Sequence, residues 1–568
     1  MALIFYLFLF AILIFDGIGI KGGLEIAYYL TLSTPLFLYL GSFIFSEFEF
    51  KINSKVLKSI IFFSIFIFIS TIFSVDRQNS FQSLLIHTAI ILIYIWVVNY
   101  RIRLVKYLKS FLIIIGTLFC ILAVLGYLKI LIPYSEFNFF NTGKYTHNHL
   151  GDYLGLVLIL LLTGNNILKN RGSWIFVLLF IPFFIFSFSR TAYLSLSIVL
   201  LVYLWLVKKN QRNHWQRLKV GLFIIIGLSI LIFFSTNKVG KNQGITLSNT
   251  FLISYFHYQP KDLLSNRDYY FNWGLQALRD HPIFGIGPDN YKVGSYKYSR
   301  ILLHGSRSSM NIFIDYFSEL GIVGGISFIL LILALIKKGF SWSGLYLLLC
   351  FQTYGLHKFT SILLLFFVIL ALGYKNKSVG DIDKNLNYKT LILLSTVILL
   401  FAMRIFLSVI FYEQGKYNYA LRLYPLNKDA IVSLVWKQQS TKNLDQYVTK
   451  LTRISSQSAP AWYWIGKKYQ ALGDKINALK YYGFVYNWNP FFYNVNYAGF
   501  PYGQKSLVYQ IYKMEIEINN VKSAKMIRND YLDKISQVDR KRGYNWEILH
   551  DAGEFCRLIY DKCPYQLE

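Results

Sequence analysis

The sequence is poor in charged residues, and poorest in acidic ones. Charged residues make up 15% of its 568 residues, and 29 Asp and Glu stand against 58 Lys and Arg. Hydrophobic residues make up 55% and aromatic residues 18%, which is more apolar surface than a soluble globule can bury. The net charge of +29 comes without any nucleic-acid-binding motif. The composition therefore excludes an ordinary soluble domain, predicts no nucleic-acid partner and indicates a membrane protein.

Cysteine is also scarce, with four in the chain. Cys120 and Cys350 lie in apolar stretches and are predicted to pack in the core. Cys556 and Cys563 lie in a polar C-terminal region that we predict to be outside the cytoplasm, where the pair could form a disulfide. Metal binding is the alternative for this pair, but no further Cys and no His cluster supports it. The sequence predicts neither a metal nor a cofactor.

Long apolar stretches fill residues 1–412. Several approach or exceed the roughly 20 residues that a helix needs to cross about 30 Å of hydrocarbon. The first stretch lacks a basic n-region and a small-residue cleavage site, so we expect it to be retained as a helix. The sequence thus predicts an all-α, polytopic transmembrane bundle of about 13 spans. The predicted spans are 2–20, 25–45, 58–75, 82–99, 110–133, 148–168, 173–189, 191–207, 220–236, 310–336, 343–355, 358–374 and 391–411.

The basic residues between these spans are distributed unevenly. With the N-terminus in the cytoplasm, about 20 Lys and Arg fall in cytoplasmic loops and about five in the short loops on the other side. The long loop 237–309 is left out of this count, because long loops cross the membrane largely regardless of charge. The distribution predicts a cytoplasmic N-terminus, with this loop and residues 413–568 outside the cytoplasm.

Residues 413–568 are polar and mixed in character, and they predict a separate soluble helical domain. Within them Trp462, Gly466, Ala478 and Pro490 fall at the spacings of a tetratricopeptide unit of about 34 residues. A generic helical hairpin is the alternative. In both cases we expect the domain to contact a protein or glycan partner and not to carry out chemistry.

Four polar clusters lie near predicted outer ends of spans, where membrane packing does not explain them. The first contains His147 and His149, which are two residues apart and so do not share a helix face. An interfacial polar cap is therefore a simpler interpretation than a metal site. The second places Arg190 between two apolar stretches almost without a loop. The positive-inside rule disfavours arginine on this side, so Arg190 is either a snorkelling residue or a bidentate phosphate ligand.

The third cluster runs from Arg267 and Trp273 to Asp280-His281-Pro282 and Gly285-Ile286-Gly287-Pro288. The His-Pro and Gly-Ile-Gly-Pro elements predict a helix end followed by tight turns. Taken alone, the same pattern is equally that of an ordinary surface helix and its turn.

The fourth cluster contains His304, Arg307 and Asn311, and it leads into an apolar span that carries Asp315 and Glu319. Two carboxylates near the outer half of a membrane span are unusual, because charged groups there are costly unless they are solvated or functional. The alternative is an ordinary helix start, with Asp315 near its positive end.

Taken in this order, the four clusters resemble the O-antigen ligase and polymerase superfamily of membrane glycosyltransferases over about residues 140–375. The segment 189–194 is similar to the family's Arg-x-x-x-Leu element, and Arg267 with the turns after it looks like the pre-loop helix. The segment 311–324 resembles the start of a later family helix. A tetratricopeptide tail outside the cytoplasm is similar to that of the protein O-glycosylating members.

The resemblance implies a glycan ligase of the bacterial cytoplasmic membrane that works without a metal. It implies a donor glycan linked to undecaprenyl diphosphate and a glycan, lipid or protein acceptor outside the cytoplasm. Arg190 and Arg267 would hold the leaving diphosphate, because fixed guanidinium groups stabilise the charge that develops there. An O-antigen-type polymerase is the alternative with the same membrane signature. Further substrate contacts are expected from Arg307, His147, His149, Asn311 and Glu319.

One position departs from the family's pattern. The family's general base is the His immediately before the Asn, and here that position is Met310, which cannot accept a proton at neutral pH. We expect His304, in a Gly-Ser loop, to act as the base, with Glu319, His281 and His147 as alternatives. A catalytically degenerate membrane scaffold that presents the tail to partners is the remaining interpretation.

Overall fold

The structure is a computed structural model, and the residues that it describes are almost entirely helical. These residues are 1–17, 23–45, 50–127, 146–163, 171–187, 189–207, 267–298, 306–352, 355–375, 383–457, 459–489 and 507–536. They contain a single pair of short strands, β1 (Phe50–Asn53) and β2 (Asp383–Leu386). The predicted helical fold class is therefore confirmed.

The described helices before the tail are apolar except for two, Arg267–Asp280 and Tyr291–Tyr298. A 3₁₀ turn, Gly355–Lys358, precedes α12. In chain order the helices are α1 (Ala2–Gly17), α2 (Gly23–Phe45), α3 (Ser54–Ile72), α4 (Arg77–Tyr127), α5 (Thr146–Thr163), α6 (Arg171–Phe186), α7 (Arg190–Val207), α8 (Arg267–Asp280), α9 (Tyr291–Tyr298), α10 (Ile312–Gly339), α11 (Trp342–Cys350), α12 (Thr360–Leu372) and α13 (Tyr388–Glu413).

Among the described residues, five helices are long and apolar enough to cross a membrane, namely α2, α3, α4, α10 and α13. The apolar helices α1, α5, α6, α7 and α12 are shorter. These helices support a multi-pass membrane protein. The predicted number of about 13 spans is not confirmed.

Helix α4 differs from the prediction. The sequence predicted two spans, 82–99 and 110–133, with a basic loop between them, but the structure has one helix of 51 residues. The connecting segment contains Arg101, Arg103 and Lys106 but no Gly or Pro. Basic residues are good helix formers, so charge alone does not interrupt the helical hydrogen bonds.

One end of the membrane bundle is organised by the two strands, which pair antiparallel. Beside them the backbone N–H of Asn53 donates to the Tyr374 hydroxyl (2.9 Å), and Lys375 N donates to Lys338 O (2.9 Å). The guanidinium of Arg101 lies 5.7 Å from the centre of the Tyr374 ring. We call this the sheet end, defined by residues 50–53, 374–375 and 383–386. Its basic residues are those that the charge count assigned to the cytoplasm.

The opposite end contains a break in α10 at Gly321, which has φ 74° and ψ −175°. Such a conformation is open to glycine and strained for other residues. The backbone groups freed by the break pair with the loop that follows α8. Glu319 O accepts from Gly287 N (2.8 Å), and Ile322 N donates to Pro282 O (2.8 Å). Irregular backbone in a membrane helix is thereby satisfied within the protein.

The loop from 281 to 290 is held on its other side by the turn between α3 and α4. Gly285 (φ 68°) and Gly287 (φ 95°) make the tight turns that the sequence predicted. Asn290 Nδ2 donates to Ser74 Oγ (2.7 Å) and to Ser80 Oγ (2.9 Å). The loop is therefore fixed between α10 and the start of α4.

The same turn contacts the C-terminal region. Lys428 Nζ lies 2.5 Å from Asp76 Oδ2, and Lys428 N donates to Gln78 Oε1 (3.0 Å). Asp76 also forms an isolated β-bridge with Ser455. We call this the tail-side end, and it comprises residues 70–87, 281–290, 306–322 and 355–361.

The tail is a series of short helices. They are α14 (Tyr417–Leu423), α15 (Lys428–Lys437), α16 (Thr441–Ile454), α17 (Ala459–Ala471), α18 (Lys475–Trp488), α19 (Leu507–Glu517) and α20 (Val521–Ser536). Helices α17 and α18 pack closely at Gly466, where a Cβ would lie only 2.7 Å from the Tyr482 ring. The turn between them contains Gly473 at φ 81°. The predicted close approach at Gly466 is present, while the tetratricopeptide assignment stays a prediction.

Buried apolar side chains form one large cluster in the membrane bundle and a second cluster in the tail. Cys120 and Cys350 belong to the first cluster, as predicted. Tyr296 of α9 belongs to the second cluster, although it precedes the tail by more than a hundred residues. Helix α9 therefore shares its core with the tail.

Candidate functional site

A polar cavity of about 140 Å³ lies at the tail-side end. It has room for a few water molecules or for one polar end of a substrate. Six segments contribute to its walls: α2, the first turns of α4, the end of the 281–290 loop, α10, the 3₁₀ turn and α12. The lining residues are Tyr28, Gln82, Ser83, Ile86, His87, Asp289, Tyr316, Glu319, His357, Lys358, Thr360 and Leu363.

An ion pair between Glu319 and Lys358 lies in one wall of this cavity. Lys358 Nζ is 2.5 Å from Glu319 Oε1 and 3.6 Å from Asp289 Oδ1. The side chains of Glu319 and Lys358 are 5% and 13% exposed, whereas that of Asp289 is 59% exposed. Glu319 Oε1 also accepts a hydrogen bond from Tyr291 N (3.0 Å). These partners compensate the free energy lost when both charges leave water.

A second buried pair, Asp315 and His357, lies beside the first. Asp315 Oδ2 is 2.6 Å from His357 Nε2 and accepts from Ser308 Oγ (2.6 Å), while Oδ1 accepts from Ser309 N (2.6 Å). Burial lowers the pKa of His357, and the hydrogen bond to Asp315 opposes part of that shift. The pair ties the loop before α10 to the 3₁₀ turn.

His87 completes the polar wall from α4. Its Nδ1 is 2.8 Å from Ser83 O, and its Nε2 is 2.7 Å from the Tyr316 hydroxyl. A carbonyl oxygen only accepts, so Nδ1 carries the proton and Nε2 accepts from the tyrosine. Both ring nitrogens are therefore engaged within the protein.

The helices that begin with the two predicted arginines, α7 and α8, start near a different carboxylate. Asp152, in the second turn of α5, is 2% exposed and accepts from Ser189 Oγ (3.4 Å). Arg190 follows Ser189 directly and begins α7. Arg267 interacts electrostatically with Asp152. The structure therefore brings the start of α7 and the start of α8 to one buried carboxylate, which we call the arginine end of the site.

Tyr291 connects the arginine end with the cavity. Its backbone N–H donates to Glu319 Oε1, and its hydroxyl donates to Tyr270 O, which lies one turn after Arg267 in α8. The side chain of Tyr291 is buried, at 1% exposure. Arg267 and Glu319 are thus linked through one fixed residue.

Asn311 caps the start of α10. Its Oδ1 accepts from Phe313 N (3.0 Å) and Ile314 N (3.1 Å), which makes it the N-cap of α10. Its Nδ2 donates to Gln352 Oε1 (3.0 Å). Both polar atoms of the amide therefore serve the fold. The preceding Met310 has a positive φ of 64°.

The other predicted site residues are placed as follows. Arg307 is exposed, and burial of Lys292 together with the charge of Arg307 lowers the pKa of Lys292. His281 is half-buried and does not line the cavity. For Arg190, His147 and His149 the helical backbone is described and the side chains are not; His304, Cys556 and Cys563 lie outside the described residues.

Among the cavity-lining residues that sequence reasoning missed are two histidines and two charged residues, namely His87, His357, Asp289 and Lys358. His87 lies within a predicted span, and His357 and Lys358 lie at the junction of two of them, so an ionisable group in or beside an apolar stretch was a signal present in the sequence. What the sequence did not show is that these stretches meet, since His87 and Tyr316 are 229 residues apart.

A family model described as O-antigen ligase matches residues 154–329, about a third of the chain. No curated protein matches the chain. The matched region lies within the predicted 140–375 and contains Arg190, Arg267, Asp289 and Glu319. The match supports the O-antigen ligase family and suggests a glycosyl-transfer or ligase role in the membrane.

Proposed function

We propose that this protein transfers a glycan from an undecaprenyl-diphosphate-linked donor to an acceptor at the outer face of the bacterial cytoplasmic membrane. The arginine end binds the diphosphate of the donor, and the polar cavity lies on the acceptor side. The reaction needs no nucleotide sugar and no metal ion, because the donor bond is already activated by its diphosphate.

The observation that carries this proposal is the buried network around Glu319 and Lys358. Each ion that is removed from water loses several kcal/mol of solvation free energy. A buried ion pair is therefore weak evidence that its role is to stabilise the fold. Ionisable groups inside a membrane domain indicate a functional site by default. Both Glu319 and Asp289 lie within the region that the ligase family model matches.

The arginine end fits the leaving group chemically. When the bond between sugar and diphosphate breaks, negative charge grows on the bridging oxygen, and guanidinium groups fixed beforehand stabilise it there. A guanidinium can also bind two phosphate oxygens at once. Asp152 would hold Arg267 in place by its opposite charge, because a catalytic side chain needs supporting contacts that fix its position.

The test uses the full chain, purified and reconstituted in liposomes with an undecaprenyl-diphosphate-linked oligosaccharide fraction and an acceptor-containing membrane extract. We expect release of undecaprenyl diphosphate, with Arg190→Ala and Arg267→Ala each reducing the rate about 100-fold or more. Arg279→Ala is the matched control, because Arg279 is exposed on the same helix as Arg267. We expect this variant to be as active as wild type.

A non-catalytic scaffold is the second candidate, and Met310 at the expected base position favours it. The same experiment separates the two. A wild-type protein that releases no undecaprenyl diphosphate with any acceptor, yet supports glycan display in cells until the tail is removed, would establish the scaffold and end the transferase proposal.

A further inference from the structure

The charge of the cavity differs from what a diphosphate requires. Among its described lining residues two carboxylates, Asp289 and Glu319, stand against one ammonium group, Lys358. A diphosphate carries at least two negative charges and would be repelled by this balance. A neutral hydroxyl group that can donate a hydrogen bond fits it better.

Among the described groups that line the cavity and could take a proton, Glu319 is the buried carboxylate, and Asp289 is exposed. Both ring nitrogens of His87 are engaged. His357 Nε2 is held by Asp315, and its Nδ1 is buried and has no hydrogen-bond partner among the described residues. Both hydrogen bonds to the Glu319 carboxylate end on Oε1, so Oε2 receives none from the described residues.

We infer that the cavity receives the acceptor hydroxyl and that Glu319 Oε2 is the base that takes its proton. This inference rests on the proposed glycan transfer. The general base, which Met310 cannot be, is then a carboxylate. Lys358 and Tyr291 are positioning residues for that carboxylate.

Glu319 is held unusually firmly for a side chain in a membrane helix. Lys358 and Tyr291 N hold Oε1, while the backbone oxygen of Glu319 accepts from Gly287 N (2.8 Å) and from Ser70 Oγ (3.0 Å). The break in α10 follows two residues later. A base fixed in this way is already oriented before the acceptor arrives, which is where much of the rate enhancement of an enzyme originates.

The chemical step balances without a further reactant. The acceptor O–H bond breaks and its proton passes to Glu319 Oε2, while the acceptor oxygen forms a bond to the anomeric carbon of the donor sugar. The bond from that carbon to the diphosphate oxygen breaks, and the electron pair leaves with undecaprenyl diphosphate. The proton then passes to solvent at the mouth of the cavity, where Asp289 is exposed.

Several titratable groups surround Glu319 and must be separated in a pH experiment. Asp315 and Tyr316 lie on its own helix, and His357 and Lys358 face it from the 3₁₀ turn. The loop contributes Asp289 and Tyr291, α4 contributes His87, and α2 contributes Tyr28. Of these, His357 is the histidine that is paired with a carboxylate, Asp315, so it needs its own variant.

The test compares Glu319→Gln, Glu319→Asp and His357→Gln in the liposome assay, over a range of pH. Glutamine keeps a side-chain oxygen that accepts hydrogen bonds from Tyr291 N and Lys358, but it cannot take the proton of the substrate hydroxyl. We expect Glu319→Gln to lower kcat about 100-fold or more, with the KM for the donor nearly unchanged, and to abolish the fall in rate at low pH. Glu319→Asp should retain more activity than Glu319→Gln and keep that fall. Glu413→Gln is the control for the same chemical change on an exposed helix position.

The outcomes separate this inference from the function on which it rests. A wild type that transfers nothing removes the proposed function and the inference with it. An active wild type with Glu319→Gln within about threefold of it overturns the inference alone. So does a pH profile that is unchanged in Glu319→Gln but loses its low-pH limb in His357→Gln, because the base would then be the histidine.

Discussion

At the sheet end Lys51 and Lys384 are exposed to solvent, whereas at the tail-side end Asp76, Asp315 and Glu319 are at most 4% exposed. The exposed lysines keep their hydration and interact weakly with their surroundings. The buried carboxylates have lost theirs and each contacts a basic partner, Lys428, His357 or Lys358. We propose that charge at the sheet end orients the protein and that charge at the tail-side end forms a functional site.

The difference also shows in the backbone. Helices reach the sheet end and stop at two short strands, so the chain there needs no unusual conformation. At the tail-side end α10 is interrupted, and a loop with two left-handed glycines supplies the missing hydrogen bonds. Broken helices of this kind line functional cavities in membrane proteins.

The largest expected effect is all-or-none and concerns the sides of the membrane. In a chain whose four cysteines are replaced by serine, Lys384→Cys marks the sheet end and Ile476→Cys, at a position that is 75% exposed, marks the tail. We expect a membrane-impermeant maleimide added to spheroplasts to label only the tail cysteine, and to label both after permeabilisation. Equal labelling of both sites in sealed spheroplasts would contradict the prediction that the two ends lie on opposite sides of the membrane.

The next effect tests the interrupted helix. A Cβ at Gly321 would lie 2.2 Å from Ile283 O, a backbone atom that cannot move aside easily. We expect Gly321→Ala to destabilise the protein by about 3 kcal/mol, because strain at this φ adds to the clash. Thermal unfolding in detergent measures it.

Gly483 provides the matched control for this substitution. It lies in α18, and a Cβ there meets nothing within 4 Å. Alanine should therefore be neutral or stabilise the tail by up to about 1 kcal/mol. If Gly321→Ala were as harmless as Gly483→Ala, the break in α10 would not be a fixed part of the site.

A smaller effect concerns the contact between the tail and the membrane domain. Lys428→Met leaves Asp76 buried without its cation, and we expect a loss of roughly 1 to 3 kcal/mol, between the values for surface and buried pairs. Faster release of the tail by limited proteolysis would measure this loss of stability. The comparison variant is Lys534→Met, which removes an exposed pair with Asp530 and should change stability by about 0.5 kcal/mol or less.

Much of the fold follows from local patterns. The apolar stretches, the tight turns at 285–288 and the close helix pair at Gly466 depend on residues that are near in sequence. The basic residues near the middle of α4 predict a loop, but no Gly or Pro lies there and the helix is continuous. The charge rule predicts sides of a membrane and not helix ends.

The site was predictable only in part. The joint role of Arg190 and Arg267 stays a prediction, and the structure shows the starts of their two helices near Asp152. Glu319 was expected to contact substrate, and it lines the cavity. Lys358 was not expected, because its partner lies 39 residues away on another segment and a lysine at the edge of an apolar stretch resembles a topogenic charge.

The central claim is that chemistry takes place at the tail-side end and not at the sheet end. Its most direct test is the rate of undecaprenyl diphosphate release by Lys358→Met and Lys384→Met, each verified as folded by size-exclusion chromatography in detergent. Loss of the Lys358 contact lets Glu319 shift, and misplacement by about 1 Å is enough to reduce the rate roughly 100-fold, whereas Lys384→Met should leave it unchanged. Equal rates in the two folded variants would contradict the account.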